Sequence, residues 1–194
     1  MMNSKELIIQ RFQDSIAVKK QNISDEALIN RITQIADVLV DVLKKGNKLI
    51  LCGNGGSASD ALHFAGEIVG RFEQERSAWS AIVLNSDVAT MTAIANDYSF
   101  DNVYARQVEG HAREGDLFIG ISTSGNSENV LRAARVAKEK GAITAAFLGK
   151  DGGKIKDIVD YPIIVRSDST ARVQESHICI IHIICELVEK QMTE

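Results

Sequence analysis

From residue 48 onward the chain is written as short apolar runs separated by helix-length stretches, and this alternation constrains the fold more than any other feature. The runs are Lys48 to Cys52, Ala81 to Leu84, Asp116 to Ile121, Ile143 to Leu148 and Tyr161 to Val165. A strand that is apolar on both of its faces must be covered on both, which is the condition of a parallel sheet. Between the runs, helical patterns reach to about Arg71, cover Val88 to Asn96 and Asp101 to Arg113, extend to Lys140, and close the chain from about Ala171 to Met192. The pattern predicts an α/β fold: a five-stranded parallel sheet flanked by helices on both faces.

Two further helices open the chain. The first, from about Ser4 to Gln21, turns Leu7, Ile8, Phe12, Ile16 and Val18 toward one side. The second starts at the capping triplet Ser24-Asp25-Glu26 and carries Leu28, Ile32, Ile35, Ala36, Leu39 and Leu43. Lys44-Lys45-Gly46-Asn47 ends it with favourable charge and a helix stop. A chain of 194 residues forms one domain, with 1–46 as helices used in assembly and 47–194 as the αβα core.

Charge and cysteine usage narrow the function. A formal net charge of −4 argues against general affinity for nucleic acid or anionic membrane. Cys52, Cys179 and Cys185 have no CxxC spacing, so reduced, buried thiols are expected rather than a disulfide framework. The start of the chain has no apolar leader core and no stretch resembles a membrane span, so a cytoplasmic location is expected.

Two strand ends carry the signature of an anion site. The first empties into Gly53-Asn54-Gly55-Gly56-Ser57-Ala58-Ser59-Asp60, where glycines let a ligand approach backbone N–H groups at a helix start. Gly53, Gly55 and Ala58 fit a loose dinucleotide-binding pattern, but the acidic residue expected about twenty positions later is missing, and Asp87 lies too far along. The third strand empties into Ser122-Thr123-Ser124-Gly125-Asn126-Ser127. One helix cap would account for one or two of these hydroxyls; four in six residues favour a phosphate cradle.

Side chains able to do chemistry stand on the helices behind. His63 and Glu67 are four apart and share a face, a spacing that suits a metal pair or a base with its orienting partner, or an ordinary surface pair. Gln174, Glu175, His177 and His182 interrupt a final helix that is otherwise apolar nearly all round. Such a helix is buried nearly all round, which in a domain this small predicts a homo-oligomer, a tetramer by expectation, with this helix central.

These separate signals together form a known pattern. Gly53 to Ser57, His63-x-x-x-Glu67, Ala95-Asn96-Asp97, Gly120 to Ser127, Gly149-Lys150-Asp151-Gly152-Gly153 and Arg172-Val173-Gln174-Glu175-x-His177 followed by His182 resemble the phosphoheptose isomerases, members of the sugar isomerase (SIS) group. The resemblance runs over almost the whole chain. It implies a flavodoxin-like αβα sandwich converting sedoheptulose 7-phosphate to glycero-manno-heptose 7-phosphate, the first step toward an activated heptose for lipopolysaccharide or capsule. It further implies that Glu67 is the general base and His182 the general acid. Substrate contacts would come from Asn54, Gly55, Gly56, Ser57, Glu67, Asn96, Asp97 and Gln174, and the phosphate would be held by Ser122, Thr123, Ser124 and Ser127. Zinc would be bound by His63, Glu67, Gln174 and His182. Ala171 replaces an acidic residue that some relatives carry before the arginine, so no substrate contact is expected there. Gln174 and His182 are eight residues apart, about 12 Å along a helix, so meeting on one ion requires a bend or two subunits. Two other readings remain: a non-catalytic relative that binds a replication initiator, which lacks counterparts of Glu67 and His182, and an isomerase or sensor for another sugar phosphate.

Overall fold

The computed structural model describes residues 3–193; Met1, Met2 and Glu194, the outermost residues of the expected single domain, lie outside that range. Among the described residues, seven α-helices and five strands follow one another in the expected order. The strands are β1 (Leu49–Gly53), β2 (Ala81–Val83), β3 (Leu117–Ser122), β4 (Ile143–Gly149) and β5 (Tyr161–Val165). Every pairing is parallel, in the order β2-β1-β3-β4-β5.

Because strand side chains alternate in direction, the sheet divides the interior into two cores. Leu49, Leu51, Leu117, Ile119, Ile121, Ala145 and Phe147 face one way, toward α2 (Glu26–Lys44), α3 (Gly56–Val69) and α7 (Thr170–Thr193). Ile50, Cys52, Phe118, Ala146 and Leu148 face the other, toward α4 (Val88–Asp97), α5 (Ala105–His111) and α6 (Glu128–Glu139). Each buried Leu, Ile or Phe among them contributes about 1.5–3 kcal/mol of transfer free energy, which is why the sheet needs both helical layers.

The opening helices differ from each other. α2 is capped by Asp25, whose carboxylate accepts from the Leu28 N–H, and it buries Leu28, Ile32, Ile35, Ala36, Leu39, Val40 and Val42 within the chain. α1 (Ser4–Ser24) buries no side chain: its expected apolar side, including Leu7, Ile8, Phe12 and Ile16, is exposed, with Val18 partly buried.

Two details depart from the sequence-based expectation. Cys52 and Cys185 are buried, but Cys179 is exposed because it falls on the outward side of α7. The helix expected from Asp101 to Arg113 is shorter: Phe100–Asn102 forms a separate 3-10 turn and α5 begins only at Ala105. Among the described residues, no helix is long and apolar enough to cross a membrane.

Candidate active site

The strand order reverses between β1 and β3, since the chain leaves β1 for β2 on one side and returns through β3 on the other. In open α/β sheets, ligands bind outside the carboxyl ends of the strands at that reversal. Both sequence-predicted loops emerge there, residues 53–57 from β1 and 122–127 from β3. Gly55 has φ 58° and ψ −122°, a conformation that favours glycine, and it leads directly into α3.

The helix starts bear on whether the hydroxyl loop is a simple cap. Asn3, Asp25 and Asp87 cap α1, α2 and α4 through their side chains. Gly55 and Ser127, at the starts of α3 and α6, make no side-chain cap bond. Ser127 turns its hydroxyl to Ser122 Oγ at 2.8 Å, and Ser122 Oγ lies 3.4 Å from Ser124 Oγ. The four-hydroxyl loop therefore does not spend itself on capping, and the uncapped N–H ends of two helices face the same crevice.

The two loops are tied together. Asn54 and Asn129 exchange carboxamide hydrogen bonds, each 2.9 Å, and Asn54 Oδ1 also accepts from Tyr104 Oη at 3.2 Å. Tyr104 Oη lies 2.5 Å from the Gly53 carbonyl, and Asn129 Oδ1 accepts from the Val130 N–H. Burial, aided by neighbouring Cys52, pushes the Tyr104 phenol well above its ordinary pKa, which keeps it a donor. Thus the Asn54 side chain, a sequence-predicted substrate contact, already has protein partners on both its oxygen and its nitrogen. Behind the second loop, a Cβ at Gly125 would collide with the Gly152 carbonyl, and the Ile155 N–H donates to the Gly125 carbonyl at 3.0 Å. The Gly149 to Gly153 turn is the backing of the hydroxyl loop.

Across α3 and α7, three predicted side chains converge. His63 Nε2 lies 3.1 Å from Glu67 Oε1 and 2.9 Å from His182 Nε2. The first distance follows from the four-residue helical spacing; the second joins residues 119 apart and needed the fold. Gln174 is placed elsewhere. α7 is continuous from Thr170 to Thr193, and the Gln174 carboxamide lies so close over Gly56 that any Cβ there would strike it. Asn96 and Asp97 stand at the exposed end of α4, bonded to each other at 2.9 Å. Thr123 lies in its loop, whereas Ser57 falls in the first turn of α3 and is buried.

The convergent atoms fit a divalent metal. Among the described residues, one ligand atom each from His63, Glu67 and His182 lies within 4.8 Å of the other two. Donors on a tetrahedron with bonds of about 2.0–2.1 Å stand about 3.3 Å apart, near the separations seen. Two neutral imidazole nitrogens facing one another can share only one proton, so an electron-pair acceptor satisfies the cluster better than a hydrogen bond does.

Residues 11–149 match the family profile described as SIS domain. The chain is 56% identical over 161 residues to a phosphoheptose isomerase of Citrifermentans bemidjiense, covering 83% of this chain and 84% of that protein. It is 47% identical to a phosphoheptose isomerase of Clostridium acetobutylicum over 97% of this chain and 96% of the relative. The chain belongs to the phosphoheptose isomerase family. The solved phosphoheptose isomerase of Neisseria gonorrhoeae superimposes with a TM-score of 0.92 at 38% identity, covering 97% of this chain and all of that one.

Three polar residues near the family motif were not visible in the sequence as site residues. Asn129 and Tyr104 complete the tie between the loops; nothing in their spacing to Asn54 marks them. Asp60 lies one turn before His63, a spacing that could have drawn notice. Its carboxyl is raised to about 6 by desolvation, which the charge of His63 partly offsets, and its Oδ2 is buried without a hydrogen-bond partner. In this family member Ala171 sits exposed at the start of α7 and offers no polar group.

Proposed function

We infer that this protein is an aldose–ketose isomerase that converts sedoheptulose 7-phosphate to the corresponding heptose 7-phosphate. The observation that carries the reading is the meeting of the Glu67 carboxylate and the His182 imidazole at His63 Nε2, with one ligand atom of each of the three within 4.8 Å of the others. Moving a carbonyl between C1 and C2 requires a base for the carbon-bound proton and an acid for the oxygen, and these two groups supply them within one small site. Glu67 takes the proton from C1 of the ketose and returns it to C2; His182 gives a proton to the C2 carbonyl oxygen as it becomes a hydroxyl and takes one back from the C1 hydroxyl as it becomes the new carbonyl. Seating the phosphate on the hydroxyl loop fixes the far end of the sugar, so that remote binding energy serves orientation at the reacting carbons.

His63, Glu67 and His182 would hold a zinc ion, with Gln174 as a fourth ligand supplied by another copy of the chain. Bound there, the ion would act as a Lewis acid toward the negative charge that develops on the substrate oxygens. The exposed apolar residues of α1, with Ile29 of α2 and Ile183 of α7, support a homo-oligomer in which these helices are the assembly surface and 47–194 the catalytic core. A cytoplasmic enzyme feeding heptose into lipopolysaccharide or a capsule fits the same reading.

The test is direct. Purified protein incubated with sedoheptulose 7-phosphate gives an aldoheptose phosphate, and elemental analysis finds zinc that His63→Ala removes. Absence of turnover with zinc supplied would overturn the reading. Turnover of fructose 6-phosphate or ribulose 5-phosphate in preference to the heptose would reassign the substrate.

A further inference from the structure

A buried ion pair lies behind the His63–Glu67–His182 cluster and meets it at the backbone carbonyl of Glu67. Arg76 and Glu189 are 3.2 Å apart with side chains only 5% and 3% exposed. Glu189 accepts from the backbone N–H groups of Phe72, Glu73 and Gln74 at 3.2, 2.8 and 2.8 Å, as well as from Arg76 Nε. Arg76 spreads its remaining donors over the end of α3: Nη2 donates to the Glu67 carbonyl at 2.7 Å and Nη1 to the Ile68 carbonyl at 3.1 Å. Its guanidinium also covers the ring of Trp79 at 3.5 Å.

Two lines of contact run from this pair to the cluster. One passes through the Glu67 carbonyl, because Arg76 fixes the last turn of the helix whose side chain is Glu67. The other passes through Phe72, whose ring stacks against the His182 ring with centroids 6.0 Å apart and planes 30° apart. Three N–H bonds to one carboxylate hold the segment that presents Phe72. A single removed charge would leave its partner buried and unpaired, so the device is stiff as well as local.

We propose that Arg76 and Glu189 are positioning residues for the isomerase centre, setting the Glu67 end of α3 and, through Phe72, the plane of the His182 ring. This rests on the isomerase reading above. A purely structural ion pair would hold the chain together and leave the reacting groups where they were; a positioning pair alters them first. Displacement of a catalytic group by about 1 Å can cost up to about a hundredfold in rate, and a partial loosening is expected to cost about tenfold.

The experiment uses the full-length protein and two variants, Glu189→Gln and Phe72→Leu. Glu189→Gln keeps the shape but sets an NH2 group against backbone N–H donors. It is expected to lower kcat about tenfold with KM for the sugar phosphate within about twofold, and to shift the fluorescence of Trp79, the only tryptophan in the chain. Phe72→Leu keeps the ion pair, so Trp79 emission stays as in wild type while kcat falls. In both variants the His182 Cε1–H proton resonance moves away from its ring-shifted wild-type position. Unchanged kcat in Phe72→Leu with a displaced His182 resonance would overturn the proposal, and so would an unmoved resonance. Should Glu189→Gln fail to fold, Phe72→Leu decides by the same two readouts. If wild type itself showed no isomerase turnover, the functional reading would fail, while the His182 resonance would still decide whether the pair sets that ring.

Discussion

At the strand ends, the polar side chains are already matched: Asn54 with Asn129 and Tyr104, Ser122 with Ser127, Asn126 with Lys154. The N-cap residues of α3 and α6 make no side-chain cap. At the α3–α7 face the reverse holds. His63, Glu67 and His182 turn their ligand atoms toward one another, and their support comes from behind, through Phe72 and the Glu67 carbonyl. The first region is rigid before any ligand arrives, as suits recognition of an anion of fixed shape. The second gathers ionisable groups within reach of one another, as the proposed proton transfers require. A protein that only bound sugar phosphates would need the first region alone.

The largest expected effect breaks the comparison at its reactive side. Glu67→Gln should reduce turnover by roughly a hundredfold or more, with sugar-phosphate binding retained. Steady-state kinetics together with calorimetric titration check both halves of that statement, and near-normal turnover would remove Glu67 from the base role. A smaller effect is expected from Tyr104→Phe, which removes the donor shared by the Gly53 carbonyl and Asn54 Oδ1. Loss of one such bond costs about 0.5–1.5 kcal/mol, so KM should rise up to about tenfold while kcat stays near wild type. An equal fall in kcat would show that the two regions are not separable.

The smallest effect on the reaction belongs to His177, which shares α7 with His182 but not its surroundings. Its ring is fully buried with Nε2 3.0 Å from the Leu148 carbonyl, and desolvation lowers its pKa to about 4. Unfolded, the imidazole protonates near pH 6.5; folded, it resists protonation until about pH 4. The unfolded state therefore binds the extra proton in that window, so stability is full above pH 6.5 and declines as pH falls toward 4. Urea denaturation at several pH values should show the decline, and His177→Gln should flatten it.

Most of the fold was legible because it rests on local pattern. The apolar runs marked the strands, and a single carboxylate, Asp25, marked the start of α2. The Phe100–Asn102 turn was not legible, since a 3-10 turn and an α-helical turn have nearly the same residue preferences. In the site, His63 and Glu67 were tied by helical spacing and the two loops by their glycines and hydroxyls. Arg76, Glu189, Tyr104 and Asn129 were not, because each does its work through a partner distant in sequence. The resemblance to a family supplied roles for side chains; it said nothing of what holds them in place. Gln174 marks the limit, since its carboxamide lies over Gly56 while His182 joins His63.

The starts of α3 and α6, which no N-cap side chain closes, have one more consequence. An anion seated between them would finish two helices at once, doing for each what an aspartate does for α2, and would add a second bridge between segments that lie far apart in sequence. Ligand and scaffold would then melt as one body, and a chain stripped of its proton-transfer groups would still be steadied by the sugar phosphate it could no longer convert.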